Sequence, residues 1–184
     1  MTKTNNHILS ILKGCQKNKR DAQKELYQHY YSYSLSICLR FSNDREDAVE
    51  IMNDGFMKVF NYINKFDITK PLEPWLRRIM INCAVDNYNK TKKLKEQVEL
   101  EDSMPDALND DSIMAKISYD EMLTIVRKLP DAYRTVFNLI AIEGYKHREV
   151  AKMLNISEGT SKSNYNRAKA KLKDYLNVYF EIEK

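Results

Sequence analysis

The sequence predicts an all-α fold in which two small helical domains are joined by a flexible acidic linker. Few turn residues are present: 184 residues include only four Gly and four Pro, so the tight turns that join antiparallel strands are scarce. Apolar residues also recur every three or four positions through most of the chain, which is the period of an amphipathic helix. An acidic segment without that period, residues 96–112, separates the two halves.

The N-terminal domain, residues 1–95, is predicted to contain four helices, three of which precede a proline-containing loop. The first two cover residues 7–15 and 21–39, and the third is capped by Asn43 or Asp44 and runs to Ile63. The third helix has more apolar residues than are needed to cover the single face that packs against a core. It is therefore predicted either to contact another protein or to be a central helix packed on two sides. Four tyrosines of the second helix could stack on bases, but their helical spacing favours packing: Tyr27, Tyr30, Tyr31 and Tyr33.

A loop and a basic helix complete this domain. Residues 64–74, NKFDITKPLEP, are predicted to be a loop because they hold two of the four prolines. Phe66, between Lys65 and Lys70, could hold an unstacked base, although a lone loop aromatic more often anchors its loop to the core. The helix predicted for residues 75–95 carries six Lys or Arg and one acid. That bias favours nucleic-acid binding over a merely solvated face.

The acidic segment is the predicted domain boundary. Residues 96–111 hold seven acids and no Lys or Arg, so the rest of the chain carries a formal charge of +11 beneath the net charge of +4. Pro105 and the absence of a sustained period predict a flexible linker over residues 96–112. The C-terminal domain, residues 113–184, is predicted to begin with a helix over residues 113–129. Pro130 starts the next helix, and Gly144 caps its C-terminal end.

Residues 146–173 have the pattern of a helix-turn-helix. The first helix has one apolar face, formed by Val150, Ala151 and Leu154. After a break at residues 155–157, Ser157 is expected to cap a second helix that starts near Glu158. The stretch contains eight Lys or Arg against two acids, which favours nucleic acid as its partner over a solvated amphipathic helix.

The second helix of this stretch is predicted to have a buried and a DNA-reading side. Helical spacing predicts that these residues are buried: Ser161, Tyr165, Ala168, Leu172 and Leu176. The opposite side combines small hydroxyl and amide groups with cations, which suits contact with base edges and phosphates. Its members are Thr160, Ser163, Asn164, Arg167 and Lys171.

Several other classes of protein are disfavoured by the sequence. Three cysteines, Cys15, Cys38 and Cys83, lie far apart without a CxxC pair, so we expect buried thiols in a reducing compartment and no metal site. No Gly-rich phosphate loop or catalytic cluster is present, and the three histidines are isolated, which predicts neither enzyme activity nor a cofactor. The chain also lacks the pattern of a signal peptide or a membrane span, so a cytoplasmic location is expected.

The order of these parts resembles the extracytoplasmic-function (ECF) group of bacterial sigma factors, the subunits that give RNA polymerase its promoter preference. The resemblance covers nearly the whole chain. It rests on DAVEIMNDGFMKVF (residues 47–60), the loop followed by WLRRIMIN (residues 75–82), Leu129 with Pro130, Gly159 with Thr160, Lys162 with Ser163, and Arg167 with Ala168. The sequence departs from the family pattern at Gly55, where an apolar residue is common, and at Ser161, Asn164 and Tyr165.

The resemblance implies a factor that binds core RNA polymerase and directs promoter-specific transcription initiation. Docking on the clamp of the largest subunit is implied for Asp47, Glu50, Ile51, Asn53, Asp54, Phe56, Met57 and Phe60. Contact with the minus-ten element is implied for Asn64, Lys65, Phe66, Trp75, Arg78, Asn82, Asn87 and Lys90. Contact with the minus-thirty-five element is implied for Gly159, Thr160, Ser161, Lys162, Ser163, Asn164, Arg167 and Lys171.

The resemblance also bears on the expected partners. They are promoter DNA, core polymerase and an anti-sigma factor, with no small-molecule substrate. The alternative is a helix-turn-helix transcriptional regulator that binds operators independently of polymerase and uses its N-terminal half to sense a ligand or partner.

Overall fold

A computed structural model describes residues 3–96 and 119–182, and every regular element in these ranges is a helix. The helices are α1 (Lys3–Gln16), α2 (Arg20–Cys38), α3 (Arg45–Tyr62), α4 (Leu72–Glu96), α5 (Tyr119–Arg127), α6 (Asp131–Phe137), α7 (His147–Leu154) and α8 (Glu158–Ile182). A 3₁₀ turn, Ile63–Lys65, follows α3, and a π-helical turn, Asn138–Ile142, extends α6. The predicted all-α fold class is confirmed.

The chain divides into two compact units, Met1–Ala84 and Val85–Lys184. The division falls inside α4. The predicted linker, residues 96–112, lies outside the described residues except for Glu96, as does the start of the helix predicted from Ile113. The domain limits inferred from the sequence therefore remain predictions.

The core of the first unit is formed by the apolar faces of α1 to α3 and the start of α4. Its largest fully buried side chains include Leu12, Leu26, Met52, Phe56, Leu76 and Met80. Asp44 caps α3, because its carboxylate accepts a hydrogen bond from the backbone N of Asp47 at 2.8 Å. Tyr30 is only 5% exposed, and the Tyr27 ring centroid lies 4.7 Å from that of Phe56. The tyrosines of α2 thus pack within the protein, as their spacing predicts.

Two glycines allow close contacts between helices of this unit. A Cβ at Gly14 of α1 would lie 2.5 Å from the Cβ of Ala22 in α2. At Gly55 of α3, a Cβ would overlap the sulfur of the fully buried Met80 in α4. Gly55 lowers helix propensity by roughly 1 kcal/mol relative to Ala. Its departure from the sigma-factor pattern is explained here by the space that the Met80 side chain occupies.

The loop before α4 is shorter than predicted. The 3₁₀ turn includes Lys65, and α4 begins at Leu72, so the loop comprises residues 66–71 rather than 64–74. Pro74 lies in the first turn of α4. A proline is tolerated at that position because the first backbone N–H groups of a helix have no partner within the helix.

The second unit is built around a core shared by α5 and α8, which contains Ile125, Val126, Leu129, Ala168 and Leu172. Leu176 packs against this core as predicted, and Tyr175 and Tyr179 pack against it as well. Arg134 of α6 is 3% exposed and donates to the carbonyl oxygens of Arg127 and Leu129 and to the carboxylate of Asp131. This arginine thereby joins the end of α5 to α6.

Further local features agree with the sequence. Gly144 adopts φ +76° directly after the π-helical turn, and Tyr145 N donates to Leu139 O at 2.9 Å, which confirms the predicted C-terminal cap. Cys15, Cys38 and Cys83 are buried thiols. Among the described helices, none combines the length and apolarity needed to cross a membrane.

Candidate functional site

The helix-turn-helix predicted for residues 146–173 is present as α7, a turn and α8. Glu149 accepts a hydrogen bond from the backbone N of Lys146 at 2.7 Å, which fixes the start of α7. Asn155 takes a left-handed conformation at φ 51° and ends that helix. Ser157 Oγ accepts from the backbone N of Thr160 at 2.9 Å, so the predicted N-cap of α8 is confirmed.

A buried polar contact joins the two helices of this motif. Ser161 Oγ lies 3.0 Å from His147 Nδ1, and Ser161 is 0% exposed. The imidazole also meets the Tyr165 ring edge-on, with centroids 5.7 Å apart. Ser161 was predicted both to be buried and to contact the minus-thirty-five element. Its side chain is enclosed between α7 and α8, so the structure leaves it no direct access to DNA and supports only the first prediction.

The exposed side of α8 is rotated relative to the predicted reading side. Its exposed residues include Gly159, Thr160, Lys162, Asn166, Lys169 and Lys173. Four predicted contacts are instead half-buried: Ser163, Asn164, Arg167 and Lys171. The reason is clearest at Arg167, whose guanidinium turns towards α6 and donates to Tyr133 OH at 3.5 Å.

Sequence reasoning missed Asn166, Lys169 and Lys173 as members of this exposed side. The signal was present, because Lys162, Asn166, Lys169 and Lys173 recur at intervals of four, three and four residues, which places them on one helical face. Lys162 is also paired with Glu158 in the first turn of α8, at an Nζ to Oε1 distance of 2.9 Å. This hydrogen bond holds the pKa of the exposed Glu158 carboxyl below its usual range.

The predicted minus-ten surface contains a buried aromatic anchor. Phe66 is 8% exposed, and its ring centroid lies 4.7 Å from that of Trp75. The structure thus favours the anchoring alternative for Phe66 over direct stacking on a base, because no free ring face is presented to solvent. Asn64 and Lys65, which precede it, are exposed.

The remainder of the loop has its own hydrogen bonds. Thr69 donates from its backbone N and from Oγ1 to Asp67 Oδ1, at 3.0 and 2.7 Å. These bonds hold the pKa of the Asp67 carboxyl below its usual range. Thr69 and Lys70 are exposed, so this compact turn presents a hydroxyl and a cation to solvent.

Three of the predicted minus-ten residues share one face of α4. Trp75, Arg78 and Asn82 are spaced by three and four residues, and Arg78 and Asn82 are exposed while Trp75 is half-buried. Lys90 is exposed further along the helix. Asn87 is half-buried and lies about 180° from Arg78 around the helix, so it does not belong to the same face.

The predicted polymerase-docking residues of α3 are divided between surface and core. Glu50, Asn53 and Asp54 are exposed, and Met57 is the most exposed large hydrophobic residue described, at 61%. Asp47 and Phe60 are half-buried. Ile51 and Phe56 are 3% and 2% exposed, so both are core residues rather than members of the exposed docking face. The apolar excess that the sequence shows thus has two sources, since part of it is packed inside and Met57 faces outward.

A shallow groove runs along this exposed side of α3. It is lined by Arg45, Glu46, Val49, Glu50, Asn53 and Asp54. Tyr27 of α2 donates from its hydroxyl to Asn53 Oδ1 at 3.0 Å, which orients that amide. The surface therefore combines carboxylates and an oriented amide with the apolar side chains of Val49 and Met57. This chemistry suits a protein partner that presents both basic and apolar groups.

The described surfaces carry exposed charged and amide groups. Within residues 3–96 and 119–182, no group of three or more His, Cys, Asp or Glu side chains is arranged to hold a metal ion. The exposed basic and amide groups of α4 and α8 suit phosphates and base edges.

Comparisons with known proteins match both halves of the chain to one family. The family model for sigma-70 region 2 matches residues 26–94, and the model for sigma-70 region 4 matches residues 119–172. Together these ranges cover well over half of the chain. The region 2 match includes α3 and α4, and the region 4 match includes the helix-turn-helix.

Individual relatives are similar over most of their length. The ECF RNA polymerase sigma factor SigM of Bacillus subtilis is 28% identical over 157 residues, which cover 83% of this chain and 94% of that protein. The ECF sigma factor SigW of Bacillus subtilis is 26% identical over 184 residues, covering 92% and 96%. The sigma factor RpoE of Bartonella quintana, solved with the anti-sigma factor NepR, has a similar fold: the TM-score is 0.51 at 19% identity, covering 84% of this chain and 96% of that one. The chain belongs to the sigma-70 family of RNA polymerase sigma factors, in its ECF group.

Proposed function

We propose that this chain docks on core RNA polymerase through α3 and directs initiation at promoters that it recognises at two elements. The observation that carries the proposal is the order of surfaces in one chain. A mixed acidic and apolar face on α3 is followed by a loop and a basic helix, and then by a helix-turn-helix.

The docking contact is proposed to centre on Met57, with Glu50, Asn53 and Asp54 around it. An exposed apolar side chain surrounded by polar groups has the composition of a small interface. The partner surface is proposed to be the clamp of the largest polymerase subunit. The buried Ile51 and Phe56 support this face from beneath without touching the partner.

The minus-ten contact is proposed to comprise the exposed rim of the loop and one face of α4. Lys65, Thr69 and Lys70 would contact phosphates and an unstacked base, while Arg78 and Asn82 would contact the opened strand. Flipping a base out of the stack costs a few kcal/mol, which these contacts must offset. Phe66 and Trp75 are proposed to form the rigid floor of this site.

The minus-thirty-five contact is proposed to place the N-terminal half of α8 in the major groove. Thr160 and Asn166 supply groups for base edges, and Lys162, Lys169 and Lys173 supply cations for phosphates. The chain is proposed to add no catalytic group of its own, since polymerase performs the chemistry. An anti-sigma factor that covers one of these surfaces is proposed as a further partner.

Transcription by core polymerase from a randomised promoter library tests the proposal. Promoter-specific transcripts are expected only when the chain is added. Met57→Glu is expected to abolish them, because it replaces the central apolar contact with a carboxylate that would lose its water at the interface, while preserving helix propensity. Ile142→Glu, the same type of change at an exposed apolar residue of the other unit, serves as the control for added charge. Tight, sequence-specific DNA binding without any polymerase-dependent transcript would instead support the regulator.

A further inference from the structure

We infer that Gln16, the last residue of α1, is a positioning residue that sets how well the loop of residues 66–71 discriminates among promoter sequences. The inference rests on the proposed function, because it concerns the loop to which the minus-ten contact is assigned. Gln16 is not itself placed on DNA and acts through the backbone of the loop. The region 2 match begins at residue 26, so it does not include α1.

Gln16 forms hydrogen bonds with the backbone of the segment that follows α3. Its Nε2 donates to two backbone carbonyl oxygens, that of Ile63 at 3.1 Å and that of Phe66 at 3.2 Å. These carbonyls lie at the start of the 3₁₀ turn and at the first residue of the loop. A side-chain amide nitrogen carries two hydrogens, so both bonds can form together. The direction in which the loop begins therefore depends on a side chain from another helix.

Phe66 is fixed a second time through its ring. The ring is packed against Trp75 and is almost fully buried. Backbone and side chain of this residue are thus held by different parts of the unit, Gln16 on one side and α4 on the other. The residues that follow, from Asp67 to Lys70, are exposed but form a compact turn through the bonds from Thr69 to Asp67.

The end of the loop is held by α2. Tyr30 OH donates to Glu73 Oε1 at 2.9 Å, and Tyr33 OH donates to the Glu73 carbonyl oxygen at 3.4 Å. Glu73 lies in the first turn of α4, directly after the loop. The loop is consequently fixed at its start by α1 and at its end by α2. Neither Gln16 nor Tyr30 belongs to the residues assigned to DNA.

Because both ends of the loop are fixed, we expect the loop to affect discrimination among promoter sequences more than overall affinity for DNA. Specificity is a difference between the free energies of binding to correct and incorrect partners. A loop held in one conformation presents Thr69 and Lys70 at fixed positions, so an incorrect base cannot be accommodated by a shift of the loop. When one end is released, the loop can adapt to incorrect bases, and the difference between promoters becomes smaller.

Gln16→Met tests the inference because it keeps the length of the side chain and a favourable helix propensity while removing both donors. Ile37→Val, in the last turn of α2, is the matched control for a small loss of core stability. Each full-length variant is combined with core polymerase, and transcription is measured from promoters randomised only in the minus-ten element. The affinity for core polymerase is measured in parallel.

Gln16→Met is expected to reduce the ratio between the best and the singly mismatched promoters by roughly threefold to tenfold, the size expected for loss of hydrogen bonds of this kind. Its affinity for core polymerase should be unchanged, and the profile of Ile37→Val should match the wild type. A wild-type profile for Gln16→Met, or the same change in Ile37→Val, would overturn the inference and leave the proposed function standing. Absence of promoter-specific transcription by the wild-type chain would overturn the proposed function and the inference together.

Discussion

Ser161 Oγ and His147 Nδ1 lie 3.0 Å apart, so a partly buried hydrogen bond joins α8 to the first helix of its motif. Ser161 has no exposed surface, and its hydroxyl lies directly against the imidazole. The orientation of α8, and with it the set of residues that face solvent, depends partly on this pair. Position 161 therefore joins the two helices through a polar contact rather than through apolar packing.

A double-mutant cycle measures this pair. Ser161→Ala and His147→Ala are each expected to destabilise the second unit, and the double variant should lose less than the sum, with a coupling of about 0.5 to 1.5 kcal/mol. Urea unfolding of the full chain is followed by far-ultraviolet circular dichroism, which reports both units. Trp75, the only tryptophan, reports the first unit and should show no change. Strict additivity would mean that the two side chains do not interact.

The exposed side of α8 leads to a second prediction. Asn166→Ala is expected to weaken binding to the preferred minus-thirty-five duplex by about 1 to 3 kcal/mol and to relax the preference at one position. Lys169→Ala should weaken binding to all sequences similarly. It should also reduce the magnitude of the slope of log binding constant against log salt concentration by about 1. Both are measured by fluorescence anisotropy on matched and scrambled duplexes. Lys128→Ala, at an exposed lysine outside α8, is the control. If Arg167→Ala weakened binding to the duplex and neither Asn166→Ala nor Lys169→Ala did, the side of α8 predicted from the sequence would be the one that contacts DNA.

Gly14 provides a test of packing between α1 and α2. Gly14→Ala is expected to reduce the stability of the first unit by about 1 to 3 kcal/mol, because the new methyl group would meet the Cβ of Ala22, which cannot rotate away. Adding Ala22→Gly should recover part of the loss. Unfolding of the first unit is followed by Trp75 fluorescence, and unfolding of both units by far-ultraviolet circular dichroism. Gly159→Ala is the matched control, since a Cβ there meets only Ser157 Oγ at 3.6 Å. Equal stability of Gly14→Ala and wild type would contradict the close approach.

The buried thiols predict a pH dependence. Burial, together with the charge of Glu25, raises the pKa of Cys15 to about 11. The neutral thiol is favoured in the folded state, so its contribution to stability is complete below the unfolded pKa of about 8.5 and is lost as the pH rises towards 11. The urea midpoint of the wild type should therefore fall more between pH 8 and pH 10 than that of Cys15→Ala. A parallel fall in both proteins would contradict the assignment.

Local sequence patterns were sufficient for the presence of the described helices and for three of their caps. The N-caps at Asp44 and Ser157 and the C-terminal cap at Gly144 depend on neighbouring residues only, so spacing and residue type predict them. Pro74 was misassigned to the loop because a proline in the first turn of a helix has the same local signal as a proline in a loop. The presence of the helix-turn-helix was likewise predictable from its period and charge.

The distribution of side chains between core and surface required the tertiary structure. Arg167 was predicted to face DNA because its neighbours are polar, but Tyr133 of another helix draws it inward. The resemblance assigned Phe66 to DNA contact and Phe56 to polymerase contact. The structure shows that both side chains are buried, Phe66 against Trp75 and Phe56 in the core of the first unit. Contacts between residues far apart in the sequence, such as Tyr133 and Arg167, cannot be inferred from local spacing.

The central claim is that one chain recognises two promoter elements through separate surfaces. Promoter selection with one variant in each surface tests it most directly. The full chain with core polymerase is expected to select promoters with two preferred blocks of sequence. Asn82→Ala should change the preference only in the block nearer the start site, and Asn166→Ala only in the upstream block. Selection of a single block, or a change of both blocks by either variant, would contradict the account that one chain reads two promoter elements through separate surfaces.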